Sequence, residues 1–152
     1  ALDQHFDDLG TSLGEELLRP SRIYVREVLN MMHDGVDVRG IAHITTDGFL
    51  NLPRLQANVG YTIESIPEPQ PIFQMIQEIG SVQDAEMYEV FNMGIGLCVV
   101  VPESDENLAI AVANACGTEA FAIGLVTENP HREVSLTQVG LRGTRGEGFK
   151  HG

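Results

Sequence analysis

Lysine is almost missing from this chain. Lys150 alone joins the arginines to make nine cations, against 22 Asp plus Glu, so the formal balance is 9 − 22 = −13. Such a surface excludes the basic face that nucleic-acid binding needs and repels an anionic membrane. An acid excess with so little lysine is compatible with work in high salt, where screening weakens self-repulsion, and a merely acidic cytosolic domain accounts for it equally well. Only two cysteines are present, Cys98 and Cys116, with no CxxC or Cys/His ligand spacing. A disulfide scaffold and a structural zinc site are therefore not expected. Cys98 lies in an apolar run and reads as a buried, reduced thiol in a reducing cytoplasm. No apolar run approaches the roughly 18 residues of a membrane span. The amino terminus shows no basic or apolar leader, so no signal peptide is expected, and its Ala-Leu-Asp opening is expected of a piece of something longer. Walker A, GxGxxG, HExxH and GxSxG patterns are all lacking. No two histidines stand at i, i+4, so no metal site is expected within the chain.

What is present suits one domain: 152 residues, 43% of them hydrophobic, enough for a core without staples. Ser12 with Glu15 forms a capping box that predicts a short helix through Leu18. Pro20 then suits the first turn of a second helix, whose apolar face is Val25, Val28, Leu29 and Met32 and which Gly35 stops. A strand is predicted over 36–45, with Ile41, His43 and Thr45 on one face and Ala42 and Ile44 on the other. Thr46-Asp47-Gly48 is a turn, and 50–58 a short helix. A strand over 62–66 and helices over 72–79 and 84–91 follow. The unbroken apolar run 94–101 predicts a central strand. An amphipathic helix over 105–116 and a strand over 120–127 come next, and 133–137 reads as an edge strand. From Gly140 onward the chain is rich in glycine and charge and predicts a flexible tail, 140–152. Mixed helices and strands indicate an α/β or α+β layer fold, and the unit over 97–126 suggests half of a ferredoxin-like motif.

Two segments carry possible chemistry. In Ala42-His43-Ile44-Thr45-Thr46-Asp47-Gly48, followed by Asn51 and Arg54, a strand runs into a tight turn. Backbone N–H groups, a hydroxyl, an imidazole and a guanidinium brought together there suit an anion such as a phosphate. On residue types alone, a strand end with a packed core histidine is the favoured account. In Phe91-Asn92-Met93-Gly94-Ile95-Gly96, two glycines two apart allow close approach by a ligand or backbone, or simply tight packing.

Taken together, several segments resemble the aminoimidazole ribonucleotide synthetase (phosphoribosylformylglycinamidine cyclo-ligase) family. Residues 17–25, Leu-Leu-Arg-Pro-Ser-Arg-Ile-Tyr-Val, are similar to its Leu-Leu-x-Pro-(Ser/Thr)-Arg-Ile-Tyr-Val run. Ala42-His43-Ile44-Thr45 with Gly48, Asn51, Pro53 and Arg54 resembles its Ala-His-(Ile/Leu)-Thr-Gly-Gly-Gly segment and the Asn-x-Pro-Arg that follows. Glu86-Met87-Tyr88 and Phe91 to Gly96 resemble its Glu-Met and Phe-Asn-x-Gly-(Ile/Val)-Gly segment. The order holds from about residue 14 to 126. The glycine triplet reads Thr46-Asp47-Gly48 here and the following stretch is shorter, closer to archaeal-type variants of the loop.

The resemblance implies a carboxy-terminal, substrate-side domain: a layered α/β/α arrangement with a mixed sheet, partly ferredoxin-like. It implies an ATP-dependent ligase closing the imidazole ring of aminoimidazole ribonucleotide from formylglycinamidine ribonucleotide in purine biosynthesis. His43 is the expected catalytic residue, since imidazole exchanges protons near neutrality. Thr45, Gly48, Asn51, Asn92, Gly94 and Gly96 are the expected substrate-binding set. ATP and Mg2+ are expected to act in the full-length enzyme, on ligands mainly outside this chain. Expected partners are an amino-terminal ATP-binding domain, a phosphoribosyl substrate and a second copy in a homodimer, in the cytoplasm, with no nucleic acid or membrane. The rival readings are a non-catalytic ligand-binding or regulatory module, and part of a related enzyme such as selenophosphate synthetase or thiamine-phosphate kinase.

Overall fold

A computed structural model describes residues 2–152. The chain opens with a small antiparallel hairpin, β1 (His5–Phe6) and β2 (Thr11–Ser12). Helix α1 (Leu13–Leu17) follows under the expected capping box: the Glu15 N–H donates to the Ser12 hydroxyl, and the Ser12 N–H donates back to the Glu15 carboxylate. Residues 20–24 then run without regular structure, so Pro20 stands outside helix α2 (Val25–His33), which begins five residues later than Pro20 suggests. The apolar face expected on α2 is also displaced. Met31 and Glu27 are the buried residues, whereas Val25, Leu29 and Met32 are 61%, 58% and 49% exposed. The apolar arc of this helix is wider than its contact with the domain, and only its Met31 edge is covered.

A two-stranded antiparallel ribbon, β3 (Gly40–His43) and β5 (Leu97–Val100), lies between two cores. Ala42 and Cys98 are opposite each other and enter the larger core with Ile44, Phe49, Leu50 and Leu52. On the other face, Val99 packs with Met31, Val36, Ala109, Val112 and Ala113, which belong to α2, its exit and helix α5 (Glu106–Ala115). This two-sided burial explains the apolar run at 94–101. The strand it forms is short and pairs with β3 alone, so the run does not mark the centre of a sheet. Burial also pushes the Cys98 thiol up to about 12, so it stays protonated as expected of a core residue.

The larger core is completed by a mixed five-stranded sheet. Its strands are β4 (Gly60–Ile63), β6 (Gly124–Thr127), β7 (Val134–Leu136), β8 (Leu141–Thr144) and β9 (Gly148–His151), in the order β6-β4-β7-β8-β9. Strand β7, expected at an edge, is the middle strand, parallel to β4, with Val134 and Leu136 fully buried. The expected flexible tail is the β8–β9 hairpin. Leu141 and Phe149 point into the core, and Gly143 is an inward position where a side chain would collide with the Gly148 carbonyl. Gly143 is thus a packing requirement, whereas Gly140 and Gly146 have open space around them and supply left-handed backbone at turns. The strand–helix–strand unit over 97–126 forms, but β5 and β6 belong to different sheets. The molecule is mixed α/β, with α4 (Asp84–Val90) against β9 at the sheet's end and α3 (Pro71–Gly80) packed on α4. No helix of the described residues is long and apolar enough to cross a membrane.

Candidate functional site

The alternation along β3 survives folding. Ala42 and Ile44 are buried while Ile41, His43 and Thr45 face out. The ribbon continues one residue past β3, where the Ile44 N–H donates to the Gly96 carbonyl at 2.9 Å, fixing His43 beside Gly96. The residue that closes this corner is Tyr24, at the amino-terminal end of α2. Its ring stands edge-to-face with the His43 imidazole, centroids 6.4 Å apart at 65°. Its hydroxyl lies where any side chain on Gly96 would have to go. Gly96 therefore yields space to a tyrosine. Sequence reasoning passed over Tyr24 as a site residue, although it sits in the Arg-Ile-Tyr-Val run. Its contact with His43 joins residues 19 positions apart in the chain, which no local pattern reveals.

Beyond His43 the chain turns sharply. Asp47 (φ 84°) and Gly48 (φ 50°) both adopt left-handed backbone before a 3-10 helix, Gly48–Leu55. The turn is braced from inside. The Asn51 amide donates to the carbonyls of Thr46 (3.0 Å) and Gly48 (2.7 Å), and Asn51 itself is 1% exposed. Gly48 is buried beneath α4, where a Cβ would strike the Tyr88 carbonyl, and its N–H is spent on Thr45. These two residues, expected to contact substrate, face the interior instead of the exposed corner. Asn51 and Gly48 lie below the surface and hold the turn, because a left-handed corner pressed against helix carbonyls needs both an internal hydrogen-bond donor and a missing side chain. Arg54, expected as a cation for a ligand, is engaged by Asp47 at 2.7 Å. Thr45 is exposed, and the N–H groups of Thr45 and Thr46 make no hydrogen bond among the described residues.

The second glycine segment forms the opposite bank. After α4, Met93 (φ 47°) and Gly94 (φ 88°) make a tight turn in which the Asn92 carboxamide oxygen accepts from the Gly94 N–H at 3.0 Å. The turn leaves the Asn92 NH2 group without a partner among the described residues. Gly94 is exposed, and a Cβ there would meet the Gln70 side-chain oxygen at 2.6 Å. Both glycines therefore make room for side chains, Gln70 and Tyr24, and Gly94 lies in the turn ahead of β5. The structure brings His43, Thr45 and Gly96 to one exposed corner, with Asn92 and Gly94 in the turn leading to it.

This corner is an open surface. A depression of about 220 Å³ lies elsewhere, between Glu133, Arg142, Thr144, Glu147 and Lys150 on the sheet. It is shallow and distant in the chain from every residue just described, so the chemistry of the donor groups, and not cavity size, marks the site. The array suits an anionic or strongly polar ligand: an imidazole, a hydroxyl, free N–H groups and a carboxamide. Among the described residues no three His, Cys, Asp or Glu side chains converge as a metal site would require.

Residues 2–137 match the family described as AIR synthase related protein, C-terminal domain. A phosphoribosylformylglycinamidine cyclo-ligase of Methanocaldococcus jannaschii is 49% identical over 121 residues, covering 79% of this chain and 35% of that protein. One from Methanothermobacter thermautotrophicus is 50% identical over 118 residues, 78% of this chain and 34% of that protein. A third, from Alkaliphilus oremlandii, is 42% identical over 133 residues, 84% of this chain and 38% of that protein. The chain spans about a third of the length of these relatives.

Proposed function

The chain belongs to the AIR synthase related C-terminal domain family, and from that premise we propose that it is the substrate-side domain of an ATP-dependent phosphoribosylformylglycinamidine cyclo-ligase. The reaction is closure of the imidazole ring of aminoimidazole ribonucleotide from formylglycinamidine ribonucleotide. The observation that carries the reading is the near-50% identity to two proteins of that name across almost four-fifths of the chain. The exposed His43 corner supports it physically. A formyl-amide oxygen leaves poorly; phosphorylation by ATP turns it into phosphate, and a nitrogen of the same molecule then attacks the activated carbon. Holding both ends of one substrate together gains effective molarity. His43 would exchange a proton with the reacting amide, Thr45 and the N–H groups beside it would hold phosphate oxygens, and Asn92, Gly94 and Gly96 would shape the floor.

An open corner cannot exclude water, so a second surface must close it. Ile23 and Val25, which flank Tyr24 in the chain, are exposed, as are Leu29 and Met32 further along α2. This open apolar stripe supports docking of an ATP-binding domain of the same protein, which would also carry the ligands for ATP and Mg2+. A homodimer and a cytoplasmic setting complete the reading. The non-catalytic alternative is not favoured, since the relatives carry a ligase name. The test is to supply the full-length protein with formylglycinamidine ribonucleotide, ATP and Mg2+. Aminoimidazole ribonucleotide formed in step with ADP and phosphate supports the proposal; ATP hydrolysis or binding without ring closure contradicts it.

A further inference from the structure

Tyr24 is half-buried, yet its hydroxyl makes no hydrogen bond among the described residues. Two contacts orient this tyrosine, its ring against a histidine and its hydroxyl over a glycine, and they leave the hydroxyl free to donate. Phenols in partly buried positions normally find a partner. The hydroxyl stands beside Gly96, at the same corner as the His43 ring. Burial raises the Tyr24 pKa, against a lowering contribution from the nearby Arg22 cation, so the group is a neutral O–H donor at physiological pH. Nothing in the packing needs that hydroxyl; a phenylalanine would fill the same volume.

The geometry points to Tyr24 as a further substrate-contacting residue, its hydroxyl donating a hydrogen bond to the same oxygen-bearing group of the ligand that the His43 imidazole addresses. Gly96 serves the tyrosine by leaving the hydroxyl its place, and the edge-to-face contact keeps imidazole and phenol at a fixed angle. This assignment rests on the cyclo-ligase reading and names one more group of its site.

The experiment compares wild type, Tyr24→Phe, Gly96→Ala and the double variant in the full-length enzyme. Loss of a donor to a charged or developing-charge oxygen costs roughly 10- to 100-fold in kcat/KM. Tyr24→Phe is expected to show that loss with an unchanged melting temperature, because the hydroxyl has no protein partner to lose. Gly96→Ala pushes the hydroxyl aside and is expected to reproduce the loss. In the Tyr24→Phe background the same change is expected to cost clearly less, since the two act through one group. Turnover and substrate affinity of Tyr24→Phe within about twofold of wild type, on the scale of a lost hydrogen bond, would overturn the assignment. So would a loss matched by a fall in melting temperature, which would mark the hydroxyl as structural. An inactive wild type that also fails to bind formylglycinamidine ribonucleotide in calorimetry would remove the cyclo-ligase reading and the assignment together, a pattern distinct from an active wild type with an unaffected variant.

Discussion

The five-stranded sheet and the β3–β5 ribbon each bury one row of apolar side chains, yet they differ in what they carry on the other face. In the five-stranded sheet the middle strand β7 hides Val134 and Leu136 completely, and the β8–β9 hairpin adds Leu141 and Phe149 to the same core. In the β3–β5 ribbon, alternate positions of a strand equally well anchored from below carry His43 and Thr45 into solvent. One layer adds its side chains to the core; the other, anchored by Ala42, Ile44 and Cys98, holds an imidazole and a hydroxyl in solvent. Rigidity beneath and exposure above is the arrangement that a preorganised site requires.

The comparison breaks hardest at His43. In the full-length enzyme His43→Ala is expected to lower turnover by about 10²- to 10⁴-fold, the usual weight of a positioned acid or base. The same change, at an exposed strand position, should alter urea stability by no more than about 0.5 kcal/mol. Steady-state kinetics beside a denaturation curve reads both, and an undiminished turnover would refute the catalytic role. Leu141→Ala is the mirror experiment. A fully buried leucine replaced by alanine costs about 2–5 kcal/mol, enough to unfold a domain of ordinary stability. A cost under about 1 kcal/mol would show that the hairpin is loosely attached and that residues 140–152 are the tail the composition suggests.

Between these extremes stands Asn51, where the two regions meet. Its side chain belongs to the interior, yet it shapes the turn that follows Thr45. Asn51→Ala leaves the Thr46 and Gly48 carbonyls without their donor and is expected to cost about 1–3 kcal/mol. Part of that cost should appear as a weaker grip on substrate, because Thr45 and Thr46 lose their fixed orientation. A variant equally stable, with substrate affinity reduced, would instead place Asn51 in direct contact with the ligand and restore the role first expected of it.

How much of this was legible follows from the range of the interactions involved. The capping box, the helices at 72–79 and 84–91 and the in-out pattern of 41–45 are local, and each is written in residues within a few positions of one another. What the sequence hides is partnership. The run at 94–101 shows two-sided burial, but not that the second face belongs to a helix pair instead of a sheet. The Leu-Arg-Gly-Thr and Gly-Phe-Lys-His stretches alternate correctly for strands, but their inward glycine, Gly143, erases one apolar signal. Family motifs mark His43 and Gly96, which the structure places at one exposed corner, and equally Gly48 and Asn51, which it places inside the turn. A motif records which residues are required without saying which side of the backbone requires them. Tyr24 lay inside a motif too, and only the tertiary structure reveals its contact with His43.

The smallest expected effect tests whether local order can exist apart from both layers. Helix α1 buries none of its residues, so its capping box must hold it largely unaided. Hydrogen bonds from Thr11 and Ser12 bring the Glu15 carboxyl down from an ordinary 4.5 to about 2. An acid held low in the folded state stabilises it fully above the unfolded value, and that contribution fades as pH falls from 4.5 toward 2. The group is fully exposed, so the effect should be confined to α1. Carboxyl NMR titration should place Glu15 well below its ordinary range, and Ser12→Ala should return it part of the way. Amide protection at Leu18, which closes the helix on the Gly14 carbonyl, should fall over the same pH interval while the β7 amides stay protected. If β7 lost protection together with Leu18 across that interval, α1 would be coupled to the core, and the separation between a locally capped edge and a cooperatively buried sheet would not hold.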